Sequence, residues 1–147
     1  MKIEELGKNL PSLFGALLVS ILFIQSGLDK ILDWNGNLEF LTKHFSKTFM
    51  SGMTPMLLGT ITLMETATGL FSAAGIIYFL VKRSTVVIFY ASVLGVASIT
   101  ALFFGLRIAK DYAGAAILIP YFILMIILMY LTNPYQNSGS DKSLFIM

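Results

Sequence analysis

The stretch Thr54–Val81, TPMLLGTITLMETATGLFSAAGIIYFLV, decides the fold, because a single acid, Glu65, interrupts an otherwise uncharged and largely apolar run. From Thr48 to Val81 Glu65 is the only formally charged side chain. A helix needs about 20 apolar residues to cross a hydrocarbon core of roughly 30 Å, and this run is long enough. Three more uncharged stretches flank it: Asn9–Leu28, Ser84–Leu106 and Tyr112–Ser140, the last strongly apolar as far as Leu131. Only 12% of the 147 residues are charged and 56% are hydrophobic. Soluble domains carry about 25% charged residues. The chain therefore reads as an all-α membrane protein, a four-helix transmembrane bundle forming one membrane domain over residues 1–147. Its spans are expected at about 11–31, 54–81, 84–106 and 112–131, and its polar tail at 133–147.

The connections carry their own signals. Pro11 falls in the first turn of span 1, where a missing N–H costs nothing. Between spans 1 and 2, Leu38, Leu41, Phe45 and Phe49 recur at helical spacing with Glu39, Lys43, Ser46 and Lys47 opposite. Too short to cross, this segment at about 37–49 is expected as an amphipathic interfacial helix capped by Asn37. Thr54 is placed as the N-cap of span 2, with Pro55 next. Lys82-Arg83 makes a tight turn into span 3, and Pro120 falls inside span 4. The last residues, Leu144–Met147, are expected to touch the membrane again. Gly27-Leu28 and Gly105-Leu106 end spans 1 and 3, a short echo that suggests parallel repeats.

Several function classes drop out. A net charge of +2 gives no basis for binding nucleic acid. With no cysteine, the chain does no thiol–disulfide chemistry and holds no thiolate-bound metal. His44 is the sole histidine, so it cannot supply paired axial haem ligands, and it reads as a solvated residue of the interfacial helix. No nucleotide, metalloprotease or nucleophile motif occurs, so neither covalent attachment nor metal ligation of a cofactor is expected. Glu4 and Glu5 dilute the positive start, so the first apolar run reads as a span rather than a signal peptide. Lysine and arginine divide evenly between the two membrane sides. The Lys82-Arg83 turn tips the assignment toward both termini in the cytoplasm. Trp34, Tyr78, Tyr112, Tyr130 and Tyr135 near span ends are expected as interfacial anchors, and Tyr90 and Tyr121 as internal hydrogen-bonding groups.

Glu65 lies about 16 Å into span 2 at 1.5 Å per residue, close to mid-bilayer. An uncompensated acid there costs about 3 kcal/mol on the insertion scale. Thr62, Thr68, Gly69 and Ser72 share its face, with Ile61 the apolar exception. That face should point into the bundle, where small residues admit a neighbouring helix. Two bases end the spans on the same side, Lys30 and Arg107. One reading is a polar ligand pocket of Glu65, Lys30 and Arg107, with Gln25 and Asp29 at its rim. The other is a buried pair or protonated carboxyl that only fixes helix register.

These residues resemble a family. Span 1 closes on FIQSGLDK (Phe23–Lys30) and span 2 carries ETATGLFSAAG (Glu65–Gly75), a Gly-x-x-Lys element and a Glu followed by glycines. In this, and over nearly its whole length, the chain resembles the small DoxX-type membrane proteins. The resemblance implies a bundle in the bacterial inner membrane with Lys30, Glu65, Gly27 and Gly69 around a central polar site, and Gly75 packing further along. It further implies a subunit that supports quinone-linked redox chemistry beside other membrane subunits, with a quinone as the ligand. A non-catalytic assembly subunit is the alternative, and a small transporter a third.

Overall fold

The computed structural model describes residues 2–136. Its regular elements are five helices, α1 (Ile3–Leu32), α2 (Trp34–His44), α3 (Thr54–Lys82), α4 (Val86–Ile108) and α5 (Tyr112–Thr132). α1, α3, α4 and α5 are each long and apolar enough to cross a membrane, and α2, of 11 residues, lies between the first two of these. The protein is an all-α, multi-pass bundle. Large apolar side chains cover its outside, among them Leu63, Leu70, Phe71, Ile117, Ile123 and Ile127. Such a surface suits lipid rather than water.

Some boundaries differ from the sequence expectation. α1 begins at Ile3 rather than near residue 11, so Pro11 lies within it. Glu4 and Glu5 occupy its first turn, where the helix dipole favours acids. α2 starts earlier and ends sooner than 37–49. Its cap is Asp33, whose carboxylate accepts from the Gly36 N–H at 3.2 Å. Asn37 is not a cap but lies a turn inside, donating its amide to the Asp33 carbonyl at 2.8 Å. Thr54 does not cap α3 either, since Met53 holds that position and the Thr54 hydroxyl meets Thr42 Oγ1 at 3.2 Å. The tail at 133–147 enters the described residues only as far as Gln136, and Leu144–Met147 lie outside them.

Neighbour follows neighbour around the bundle: α1 packs on α3, α3 on α4 and α4 on α5, with a lighter contact between α5 and α1. Two glycines set the closest approaches. A Cβ on Gly69 would stand 2.6 Å from the Ile24 backbone nitrogen, so α1 rides directly on α3 there. A Cβ on Gly75 would stand 2.9 Å from the Ile88 nitrogen, which brings in α4. Ser72, fully buried, donates across the first contact to the Ala16 carbonyl at 2.8 Å. Ala16, Val19 and Phe23 of α1 join Ile88 and Ile99 of α4 and Met125 and Leu128 of α5 in the apolar core.

α2 lies against α3 and the end of α1. The Trp34 ring comes within 3.8 Å of where a Gly59 Cβ would be, and the Thr42–Thr54 contact holds the other end. The first turns of α3 therefore run beside α2 rather than beside α1.

The internal echo is longer than a Gly-Leu pair. With Gly27-Leu28 laid over Gly105-Leu106, Asp33 falls on Asp111, Trp34 on Tyr112 and Gly36 on Gly114, all at one offset. The geometry repeats too. Asp111 caps α5 by accepting from the Gly114 N–H at 2.9 Å, as Asp33 caps α2. α2 and α5 thus share one way of starting, although α1 runs directly into its capping aspartate while α4 ends at Ile108 and turns through Ala109 and Lys110.

Candidate functional site

On α1, the residues at Ala16, Val19, Phe23 and Gly27 are buried at helical spacing, and this register carries Ser26 and Lys30 to the α3 side. On α3, Leu58, Thr62, Glu65, Thr68, Gly69 and Ser72 form the buried face. The two faces meet at a short polar cluster. Lys30 Nζ stands 2.7 Å from Glu65 Oε2, and the glutamate is only 3% exposed. Ser26 Oγ donates to the same carboxylate oxygen at 3.0 Å and accepts from Lys30 Nζ at 2.9 Å. Lys30 also reaches the Ser26 carbonyl at 3.3 Å. The ammonium thus has three oxygen partners, which offsets much of the cost of holding it in an apolar surround. Its side chain keeps 18% of its surface open against 4% for Glu65, so the cluster is reached from the lysine side.

Gly27 makes this contact possible, because any Cβ there would run into the Thr66 side chain. Thr66 Oγ1 is itself buried without a hydrogen-bond partner. Its neighbours on α3 turn back on their own helix: Thr62 donates to the Leu58 carbonyl and Thr68 to the Met64 carbonyl, each at 2.7 Å.

The pair lies at different distances from the ends of its two helices. Lys30 lies about 4 Å short of Asp33, where α1 stops, at 1.5 Å per residue. Counted along α3 from Lys82, Glu65 lies about 25 Å in. Lys30 is thus near the end of α1, while Glu65 is about 4.5 Å from the middle of α3, whose first turns extend past the pair beside α2. The 29 residues of α3 exceed the usual span.

Three residues expected at the pocket are elsewhere. Arg107 is exposed, with its guanidinium stacked 4.4 Å over the Tyr112 ring. The buried face of α4 runs through Ser92, Gly95, Ser98, Ile99 and Gly105, and Arg107, two residues beyond Gly105, falls on the far side. In the internal repeat Arg107 occupies the place of Asp29, and the place of Lys30 is taken by Ile108. Gln25 and Asp29 also point away from Glu65. Both are exposed and line a shallow groove along the outer face of α1. Ser26 belongs to the site although sequence reasoning passed over it. Its signal was its spacing of four before Lys30, which puts both on one helical face.

His44 is not solvated as expected. It is half-buried, stacked on Phe40 with centroids 5.1 Å apart, and its Nε2 lies 3.6 Å from Asp111 Oδ2. It joins α2 to the α4–α5 connection above an apolar cavity of about 140 Å³ that Leu57, Ile61, Leu102 and Leu106 help to line. Tyr90 is exposed, and its hydroxyl meets that of Tyr135 at 2.9 Å rather than a group inside the bundle. No group of three His, Asp or Glu side chains among the described residues could hold a metal ion.

Fold and site together define a multi-pass helical membrane protein with a buried acid–base pair between its first and second spans. No protein-family model, no curated protein and no solved structure matches the chain.

Proposed function

We propose that the protein is a DoxX-like subunit of the bacterial inner membrane, with both termini in the cytoplasm, that supports quinone-linked redox chemistry in a larger membrane complex. The observation that carries this reading is the Lys30–Ser26–Glu65 cluster. Two donors and a carboxylate stand within 3.0 Å of one another inside an apolar bundle, open on the lysine side. Intramembrane ionisable groups are costly and mark sites of function more often than not. A quinone supplies the electron chemistry when bound, and electrons must reach it through a partner subunit. Approaching from the open side, a carbonyl head would find the Lys30 ammonium as its donor. Glu65 holds the ammonium in place and accepts the serine proton.

Glu65→Gln tests this, because it preserves shape and removes the charge. In membranes holding the whole complex, the expected outcome is normal assembly with quinone-linked turnover lowered at least about tenfold, a proton-handling group being worth roughly a hundredfold or more when fully effective. Unchanged turnover in a normally assembled complex would sink the proposal.

A second reading, the non-catalytic assembly subunit, is favoured by one distance. At 2.7 Å, Lys30 Nζ closes directly on Glu65, so an incoming group meets an ammonium already paired. Under that reading Glu65→Gln lowers the amount of assembled complex and leaves the turnover of each remaining complex unchanged.

A further inference from the structure

In a membrane protein, polar side chains that face outward are a cost with no compensation inside the chain. Gln25 and Asp29 are two such groups, one helical turn apart on the outer face of α1. Gln25 lies about 12 Å short of the end of α1 and about 22 Å from Leu10, well inside a helix long and apolar enough to cross a membrane. Neither side chain has a hydrogen bond or ion pair among the described residues. Around them Ile21, Ile24, Leu28 and Leu32 line a groove running along the helix.

The opposite charge is found on another face of the same molecule. Arg107 is exposed on α4, and among the described residues it has no ion pair, only its stack on Tyr112. A guanidinium held over a ring by its Cζ still has N–H groups to offer a carboxylate. The internal repeat puts Arg107 and Asp29 at equivalent places, four residues before the capping aspartates Asp111 and Asp33. They therefore lie at the same end of the bundle. Below Arg107, Ile99, Phe103, Leu118, Ile119 and Phe122 line a second apolar groove between α4 and α5, and Thr100 adds a hydroxyl at its edge.

We propose that copies of this chain associate side by side in the membrane, the outer face of α1 in one copy docking on the α4–α5 groove of the next. Asp29 then pairs with Arg107 of the neighbour, and the Gln25 amide leaves lipid for the polar edge of that groove. Charge selects this arrangement over the two-fold alternative. Packing α1 against α1 would set Asp29 against Asp29, whereas α1 against α4 sets an acid against a base. The contact is heterologous, so it builds rings or open rows rather than closed pairs. It requires only that the chain spans a membrane, and it stands or falls separately from the quinone reading.

The absence of cysteine makes the test clean. Asp29→Cys and Arg107→Cys copies, tagged differently and co-expressed in native membranes, should form a disulfide between unlike copies on mild oxidation. Asp29→Cys alone should give no dimer. In a second arm with a cross-linkable pair at Leu28 and Phe103, Asp29→Arg alone or Arg107→Asp alone should each lower the yield about fivefold, as expected for losing and then opposing an exposed pair. Combining them should restore it. Both side chains are exposed, so both variants should fold, which circular dichroism checks. A disulfide between two Asp29→Cys copies, a strictly monomeric chain in native-lipid nanodiscs, or cross-linking only to a different protein would each overturn the proposal.

Discussion

The α1–α3 contact and the α4–α5 contact are built on opposite principles. The first is made of small and polar groups: Gly27, Gly69, Ser26, Lys30, Glu65 and Ser72, with two hydrogen bonds and an ion pair crossing it. The second is closed mainly by apolar side chains, with Met125 reaching toward Gly95. α5 also buries least: 17% of its apolar window is inside, against 33% for each of the other three spans. Lipid tails are as apolar as leucine, so burial alone gives helices in a membrane little reason to choose one neighbour over another. Backbone contact and directed hydrogen bonds do give such a reason. The comparison teaches that register in this bundle is written on α1 and α3, while α5 fills the remaining side.

The hardest blow to that difference is Lys30→Met. It leaves Glu65 buried beside only Ser26, and removing one partner of a buried pair costs roughly 3 kcal/mol, discounted toward 2 because Lys30 is partly open. Thermal unfolding in detergent should show it. The double variant with Glu65→Gln should lose less than the two single losses added together, with a coupling of about 1 kcal/mol or more. Additive losses would mean that the pair holds nothing, and α1–α3 would then differ from α4–α5 only in residue size.

Next comes the pair Gly69→Ala and Gly95→Ala. At Gly69 the new methyl would meet the Ile24 backbone nitrogen at 2.6 Å, and a backbone cannot step aside. At Gly95 it would meet the tip of Met125, a side chain with three rotatable bonds. Overpacking costs about 1–3 kcal/mol, and Gly69→Ala should fall at the top of that range and Gly95→Ala at the bottom. Equal losses in the same unfolding assay would erase the distinction between a rigid and a compliant contact.

Much of this was legible in the sequence, for a physical reason. Length and hydropathy fix spans because the bilayer has a fixed thickness, and the Glu65 face followed from helical period alone. Lateral position was less legible. Nothing in Thr54–Val81 says which neighbouring helix the Glu65 face will meet. Arg107 looked equivalent to Lys30 as the base closing a span, but one step of helical register separates an inward from an outward side chain. The Gly-Leu echo could have warned of this: extended to Asp33 and Asp111, it aligns Arg107 with Asp29. Asn37 and Thr54 were plausible caps, yet the chain used Asp33 and Met53, since cap choice depends on where the preceding element stops.

The finest difference between the two contacts rests on Ser72. Its hydroxyl donates to the Ala16 carbonyl, an acceptor that already takes a bond from Ser20 at 2.7 Å. Ser72→Ala removes one of the two side-chain donors and leaves the acceptor satisfied, so no buried group is orphaned. Interhelical hydrogen bonds in membranes average about 0.6 kcal/mol, and the loss should lie there. A loss several times larger would mean that Ser72, rather than the Lys30–Glu65 pair, sets the register of α1 on α3. Because the bond meets α1 at Ala16, ten residues before Ser26, and α3 at Ser72, seven residues beyond Glu65, it would also move the organising point of the bundle away from the polar cluster.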